Sequence, residues 1–565
     1  MRAVLLLFGT LLAVCFAATH PAAAGLPVQR ALLGNSSAVS AQPAAQQAAA
    51  ELVAAMLHGP YFVEDESKAP WTIGYWQEAN LCETFANFLL SNASSSSGGT
   101  AIDDNRSEPR SPSLGEKVAE TLKRSFEHYP AQWLISNAPE KDSYDDLLWW
   151  ALAYLRAHEL CTARPDLLSC TVRLPLPKQQ PCTCMPCGSR TPHNFSAPGS
   201  QCSPATAMCG ASSGPPSKSA GTCYTSCAAS CSCPNSTCTV EVPDAGAVTT
   251  LLEQGKLIFD YAYNASWNTD YCQGGFAWSL TSQNYKNCVT NQLGILTASK
   301  LGRLLSAAGR EHELCNCKAK EAYSVIAKRT AAWLERAPMR NASTKLYKNE
   351  LYCSAHNVSA GRVTNCTGTD TPIWTYCQGL PLGFDVELHR LTGDSSHLGD
   401  AFVISSAVQK YMTVPARWSS GAAVAEGGGG GGGGGSGAVL MESACTADPI
   451  CTWVDPPLPK NCKCDNNAMI YKGILSRYLG YLHGYAAATH PAEAATIRAF
   501  LLDNVNSVLA NNKATTATLN RNDAAGNGRP AGYGMLWQGP VFGLVDSNAG
   551  NLNQAVLDLL LSVAF

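Results

Sequence analysis

Six polar, aromatic-rich segments recur along the chain, each opening a stretch whose apolar residues repeat with helical period. They are Trp71 to Asn80, Asp142 to Trp150, Cys272 to Asn291, Trp374 to Gly379, Asp465 to Gly473 and Trp537 to Gln554. Between them lie helices that read as plain amphipathic or Ala-rich packing elements. Few architectures accommodate that alternation. If every second helix carries such a start, an inner ring can point its N-termini at one mouth while an outer ring covers it. The positive dipole ends and the polar side chains then converge on one site.

The 3.6-residue pattern predicts about twelve helices. They run over roughly Gln42 to His58, Trp71 to Leu90, a third opening at a Ser113/Glu116 capping box, Asp145 to Leu160, Ala247 to Tyr263, and Tyr285 to Ala307. Ala319 to Ala337, Gly379 to Leu391, a ninth after the N-cap candidate Asp394, Asn467 to Ala487, Ala494 to Asn511 and Leu552 to Val563 complete the series. Strand signals are sparse, and 46% of the 565 residues are hydrophobic, enough for a large core. The expected class is all-α, an (α/α)6 toroid over residues 42–565. Two segments interrupt it. Residues 161–242 hold twelve cysteines among many Ser, Pro and Gly; they cannot build a hydrophobic core and read as a disulfide-stapled insertion. Residues 420–440 contain the unbroken run Gly427 to Gly435, a flexible loop.

Arg2, the apolar stretch Val4 to Phe16 and the small residues after it read as a signal peptide over residues 1–24, cleaved after Ala17 or Ala24. That stretch falls short of the roughly 20 residues a membrane helix needs. The apolar end Leu559 to Phe565 reads as an amphipathic helix end, without the spacer of a lipid-anchor signal. Sequons at Asn35, Asn92, Asn105, Asn194, Asn235, Asn264, Asn341, Asn357 and Asn365 fit the same route. The expectation is a secreted, extracellular or wall-held glycoprotein with no transmembrane segment. Without Cys15 of the leader, 24 of the 25 cysteines remain, an even number that predicts complete pairing. Cys182, Cys184 and Cys187 beside His193 have a weak zinc spacing, and an oxidising compartment favours disulfides, so no metal or other cofactor is expected. Net charge is −3 and Lys and Arg are scattered, which speaks against a nucleic-acid partner; the chain is read as a monomer.

The segment most suited to chemistry is Ser143-Tyr144-Asp145-Asp146-Leu147-Leu148-Trp149-Trp150. Hydrolysis of a glycoside with retention needs two carboxylates about 5 to 5.5 Å apart, one to attack the anomeric carbon and one to protonate the leaving oxygen. Neighbours at a helix start can supply them. Two close carboxylates do not both ionise freely, and an indole wall helps keep one protonated. Acids in a first turn are also ordinary capping residues, with Ser143 as N-cap. Trp76, Trp149, Trp150, Trp278, Tyr376 and Trp537 offer faces that suit the C–H faces of sugar rings. Core packing is the competing role for each of them. Gln77, Asn287, Asn291, Gln378, Asp465 and Lys472 offer donors and acceptors for hydroxyls, with helix capping or surface charge as the alternative.

These residues resemble glycoside hydrolase family 76, the endo-α-1,6-mannanase family. Tyr75-Trp76-Gln77-Glu78-Ala79 is similar to its first inner helix, and Tyr144-Asp145-Asp146 with Trp149-Trp150 to its Asp-Asp segment. Gly274-Gly275-Phe276-Ala277-Trp278, Tyr285-Lys286-Asn287 and Thr290-Asn291 follow, then Thr375-Tyr376-Cys377-Gln378-Gly379, and then Tyr471-Lys472-Gly473-Ile474. The blocks are collinear over most of Trp71 to Leu560. Ala277 stands where the family has a second Trp, Gln292 where it has Glu, and Cys377 where it has Asn. The resemblance implies a retaining, metal-independent glycosidase acting inside α-1,6-mannan or a mannose-containing glycan, with Asp145 as nucleophile and Asp146 as acid/base. Passing the intermediate to a sugar hydroxyl would make a wall transglycosylase instead. Without turnover, the chain would be a carbohydrate-binding wall protein.

Overall fold

The computed structural model describes residues 36–58, 62–65, 67–91, 112–137, 143–168, 170–175, 183–186, 193–194, 207–208, 239–353, 358–359, 362–363, 366–368, 373–415, 438–442, 468–511 and 549–563. The chain divides into residues 1–40, described only from 36 as the beginning of a helix, and residues 41–565, which carry everything discussed below. The signal-peptide residues, the glycine run, Asp465 and Trp537 lie outside the described residues, as does most of the cysteine-rich insertion.

The described helices are α1 (Ser36–Leu57), α2 (Tyr75–Ser91), α3 (Leu114–His128), α4 (Ala131–Asn137), α5 (Tyr144–Ala163), α6 (Ala245–Ser266) and α7 (Cys288–Ala307). Then follow α8 (Tyr323–Arg336), α9 (Tyr376–Thr392), α10 (Ser396–Tyr411), α11 (Ala468–Ala486), α12 (Pro491–Asn511) and α13 (Ala549–Ser562). Six of them form a closed inner ring: α2 packs on α5, α5 on α7, α7 on α9, α9 on α11, α11 on α13, and α13 returns to α2. The outer layer covers them in chain order, α3 on α2, α6 on α5, α8 on α7, α10 on α9, and α12 on α11 and α13. This is the all-α toroid expected from the alternation.

Sequence explains which helix goes where. A helix buried on one stripe is amphipathic, and one buried all round is apolar or internally satisfied all round. In α8 the buried residues are Tyr323, Ile326, Ala327, Thr330, Trp333 and Leu334, a single stripe. In α7 burial runs without a break from Cys288 to Leu301, polar residues included. Inner helices also touch backbone to backbone. A Cβ on Gly473 would stand 2.4 Å from the Ala555 Cα, and one on Gly379 2.7 Å from the Leu475 Cα. The seam between the first and last inner helices is polar. Arg477 of α11 donates to Asp558 of α13 and to Glu83, Asn80 and Thr84 of α2, all buried.

Several sequence expectations shift. The capping box at Ser113 and Glu116 forms with both bonds. Asp394 is not the N-cap of α10, which is Ser395, although its carboxylate accepts from the Ser396 N–H. Tyr285 to Asn287 is a strand and not the first turn of α7, because it pairs antiparallel with Glu350–Cys353. Strands are more numerous than expected but short. Thr171–Pro175 pairs with Thr239–Pro243, bringing the ends of the insertion together beside the Cys161–Cys170 bridge. Cysteine pairing is incomplete: Cys82 is a buried free thiol. Among the described residues no helix is long and apolar enough to cross a membrane.

Candidate active site

The starts of α2, α5, α7, α9 and α11 open on a cavity of about 490 Å³. Trp76 of α2 stands on one side. Ser143, Asp145, Asp146 and Trp149 come from the start of α5. Trp278, Ser279, Leu280, Thr281, Tyr285, Asn287 and Val289 form a continuous wall leading into α7. Asn349, Trp374, Tyr376, Tyr471 and Ile474 close the circle.

Both aspartates sit in the first turn of α5, where the helix dipole favours negative charge. Ser143 occupies the N-cap position but makes no capping bond; its hydroxyl favours the charged form of the Asp145 carboxylate. One oxygen of Asp145 is sealed from solvent without a partner. Burial raises the Asp145 pKa to about 6, while the Ser143 hydroxyl, the backbone N–H groups of the first turn and the Trp278 indole pull it down. The wall docks directly on this turn: the Tyr144 N–H donates to the Trp278 carbonyl at 2.7 Å, and the Trp278 N–H to the Tyr285 carbonyl at 3.0 Å.

Aromatic rings surround the carboxylates. Trp278 is 37% exposed and stands edge-on to Tyr285, and Leu280 beside it is 52% exposed. Tyr376 lies against Tyr471 with ring centroids 4.0 Å apart, and Trp374 meets Tyr471 at 5.3 Å. Burial pushes the Tyr376 hydroxyl well above its ordinary range, and Tyr471 and the Asp145 charge add to it; Tyr376 and Asp145 line the same cavity.

Of the residues expected to meet a ligand, Trp76, Asp145, Asp146, Trp149, Trp278, Asn287 and Tyr376 line the cavity. Five others do not, for identifiable reasons. Asn291 is wholly buried and clamps the wall like a peptide, accepting from the Phe276 N–H at 2.7 Å and donating to the Phe276 carbonyl at 3.1 Å. Gln378 clamps Tyr347 in the same way, at 2.8 and 2.9 Å. Trp150 is fully buried against Tyr129 and Phe126. Gln77 is buried beneath Gly74. Lys472 is buried; desolvation lowers its pKa to about 7, against the pull of Glu442. Asn291 and Gln378 thus bind backbone, and the other three are buried outside the cavity lining.

Sequence reading passed over Tyr285, Asn349 and Tyr471 as site residues. Tyr285 and Tyr471 stand in motifs already singled out, so their pattern carried the signal. Asn349 had none: it reaches the cavity through the pairing of Glu350–Cys353 with Tyr285–Asn287.

The sequence profile of glycosyl hydrolase family 76 matches residues 237–547. No curated protein matches the chain by direct sequence comparison. Among solved structures, the GH76A alpha-1,6-mannanase from Salegentibacter sp. HEL1_6 is similar at 15% identity and a TM-score of 0.50, covering 92% of this chain and 99% of that one. An inactive variant of that enzyme, with two consecutive aspartates replaced by asparagine and alpha-1,6-mannotriose bound, is similar at 14% identity and a TM-score of 0.51, with 92% and 99% covered. Dfg5 from Chaetomium thermophilum in complex with glucosamine is similar at 12% identity and a TM-score of 0.50, covering 92% and 90%.

Proposed function

Because the chain belongs to glycosyl hydrolase family 76, we propose that it is a retaining glycosidase that cleaves α-1,6-mannosidic bonds, with Asp145 as nucleophile and Asp146 as acid/base. The observation that carries this reading is the aspartate pair in the first turn of α5, facing an aromatic-lined cavity. The Asp145 carboxylate attacks the anomeric carbon as the glycosidic C–O bond breaks. Asp146 gives its proton to the departing oxygen. Asp146 then takes a proton from water, whose oxygen displaces Asp145 and releases the sugar. Trp278, Trp76 and Tyr376 provide faces for mannose rings, and Asn287 and Asn349 provide hydrogen-bonding groups.

The bound molecule is a polysaccharide in this reading, and the chain works as a secreted monomer. Export is supported by the leader-like N-terminus, the sequons and the disulfides of the described residues. N-terminal sequencing of protein recovered from the medium tests it. The activity is tested on linear α-1,6-mannan with products resolved by size, beside Asp145→Asn and Asp146→Asn. Short oligosaccharides from the parent alone are expected. Full turnover by either folded variant sinks the assignment, and products longer than an added acceptor sugar would mark transfer in place of hydrolysis.

A further inference from the structure

Resting on the glycosidase reading above, we propose that the disulfides Cys272–Cys366 and Cys288–Cys377 are positioning elements of the active site. They fasten one end of the wall 272–288 to the strand Cys366–Gly368 and the other to the first turn of α9. Trp278, Tyr285, Asn287 and Tyr376 then meet a sugar chain already in place.

The bridges join residues 94 and 89 positions apart, and their order along the chain interlocks: 272, 288, 366, 377. Between the first two cysteines lie six cavity-lining residues, Trp278, Ser279, Leu280, Thr281, Tyr285 and Asn287. The wall begins in a conformation it would not hold alone. Cys272, Gln273, Gly274 and Gly275 have φ of 56°, 57°, 142° and 86°, four successive positive values of which two fall on residues with side chains. Trp333 of α8 supports this turn from below. Its indole N–H donates to the Cys272 carbonyl at 2.9 Å, and its ring fills the space where Gly274 and Gly275 lack a Cβ. At the other end Cys288 sits between the cavity residues Asn287 and Val289, and Cys377 follows Tyr376. Cys288 and Cys377 are both fully buried, so their sulfurs act through the residues they hold and not on a sugar. The residue at 377, Cys where the family pattern has Asn, is thereby half of a covalent link between the starts of α7 and α9. A wall fixed during folding does not have to be ordered when ligand binds.

Three double variants test this: Cys288→Ala with Cys377→Ala, Cys272→Ala with Cys366→Ala, and Cys161→Ala with Cys170→Ala as a bridge away from the cavity. Each is assayed for kcat and KM on α-1,6-mannooligosaccharides, well below its unfolding midpoint. Either wall variant is expected to lose about tenfold or more in kcat/KM, chiefly through KM, as expected when positioned contacts are lost. The control variant is expected to stay within twofold while its midpoint falls. Wall variants that fold and keep kcat/KM within twofold of the parent overturn the proposal. Hydrogen exchange on the unaltered protein provides a second measurement if a variant does not fold. Amides of residues 276–278 and 285–287 are expected to exchange as slowly as those of α7, and rapid exchange there overturns the clamp. A parent that exchanges slowly but cleaves no mannan sinks the substrate reading and leaves the clamp standing.

Discussion

At the scale of single residues, Asp145 combines two demands that pull apart. Burial holds its pKa up at about 6, while a nucleophile must be ionised. The kcat/KM profile is therefore expected to fall below about pH 6, approaching tenfold per unit, because the protonated carboxyl does not attack. Asp145→Asn is expected to lose about 10³-fold or more in turnover, and Asp146→Asn about 10² to 10⁴-fold. Stability runs the other way. A carboxyl with a folded pKa above its unfolded one favours the folded state most below about pH 4, and that contribution disappears as pH rises through about 6. Asp145→Asn is thus expected to stabilise the protein at pH 7 to 8, by roughly 3 kcal/mol at most, and to change little near pH 4. Thermal denaturation at both pH values checks the sign. Asn291 makes the opposite case. Asn291→Ala leaves the Phe276 N–H buried and unpaired, and a loss of about 2 to 3 kcal/mol is expected, together with a raised KM as the wall loosens.

At the scale of elements, the turn 272–275 and the inner-helix contacts are where backbone shape is decided. Gly275→Ala would place a methyl 2.5 Å from the Trp333 ring at a φ of 86°. Both effects destabilise, and about 2 to 4 kcal/mol is expected from denaturant unfolding, with activity falling alongside. Gly473→Ala forces α11 away from α13, since the obstacle is the Ala555 backbone and not a movable side chain. The two bridges flanking the wall each close about 90 residues, for which chain entropy predicts about 4 to 5 kcal/mol of stabilisation apiece. Residues 276 and 285 carry the same lesson about motifs. The blocks at 274–278 and 285–287 were visible as sequence, but their union into one wall needed the strand pairing with Glu350–Cys353.

At the scale of the molecule, closure of the ring depends on α2 meeting α13. That seam joins residues nearly 500 positions apart in the chain and is centred on Arg477. Arg477→Met would strand the Glu83 and Asp558 carboxylates in the interior, and a loss of about 3 to 5 kcal/mol is expected. Because the seam closes the inner ring, the loss should appear as one cooperative transition at lower denaturant, with the slope unchanged. Alternating helix types made the ring legible beforehand. An outer helix needs one apolar stripe and an inner helix must be satisfied on all sides, and that difference is written in residue order.

Residue order by itself determined most of the helices, their alternation and the aspartate pair at the start of α5, because periodicity, capping and carboxylate spacing are local properties. Only the tertiary structure decided that Asn291 and Gln378 clamp distant backbone while Asn287 caps α7 at the cavity lining. It also decided that Asn349 and Tyr471 join the site, that Cys82 is unpaired, and that Cys288 finds Cys377. A side chain's direction and a cysteine's partner depend on which distant segment packs beside them, and no local pattern encodes that distance.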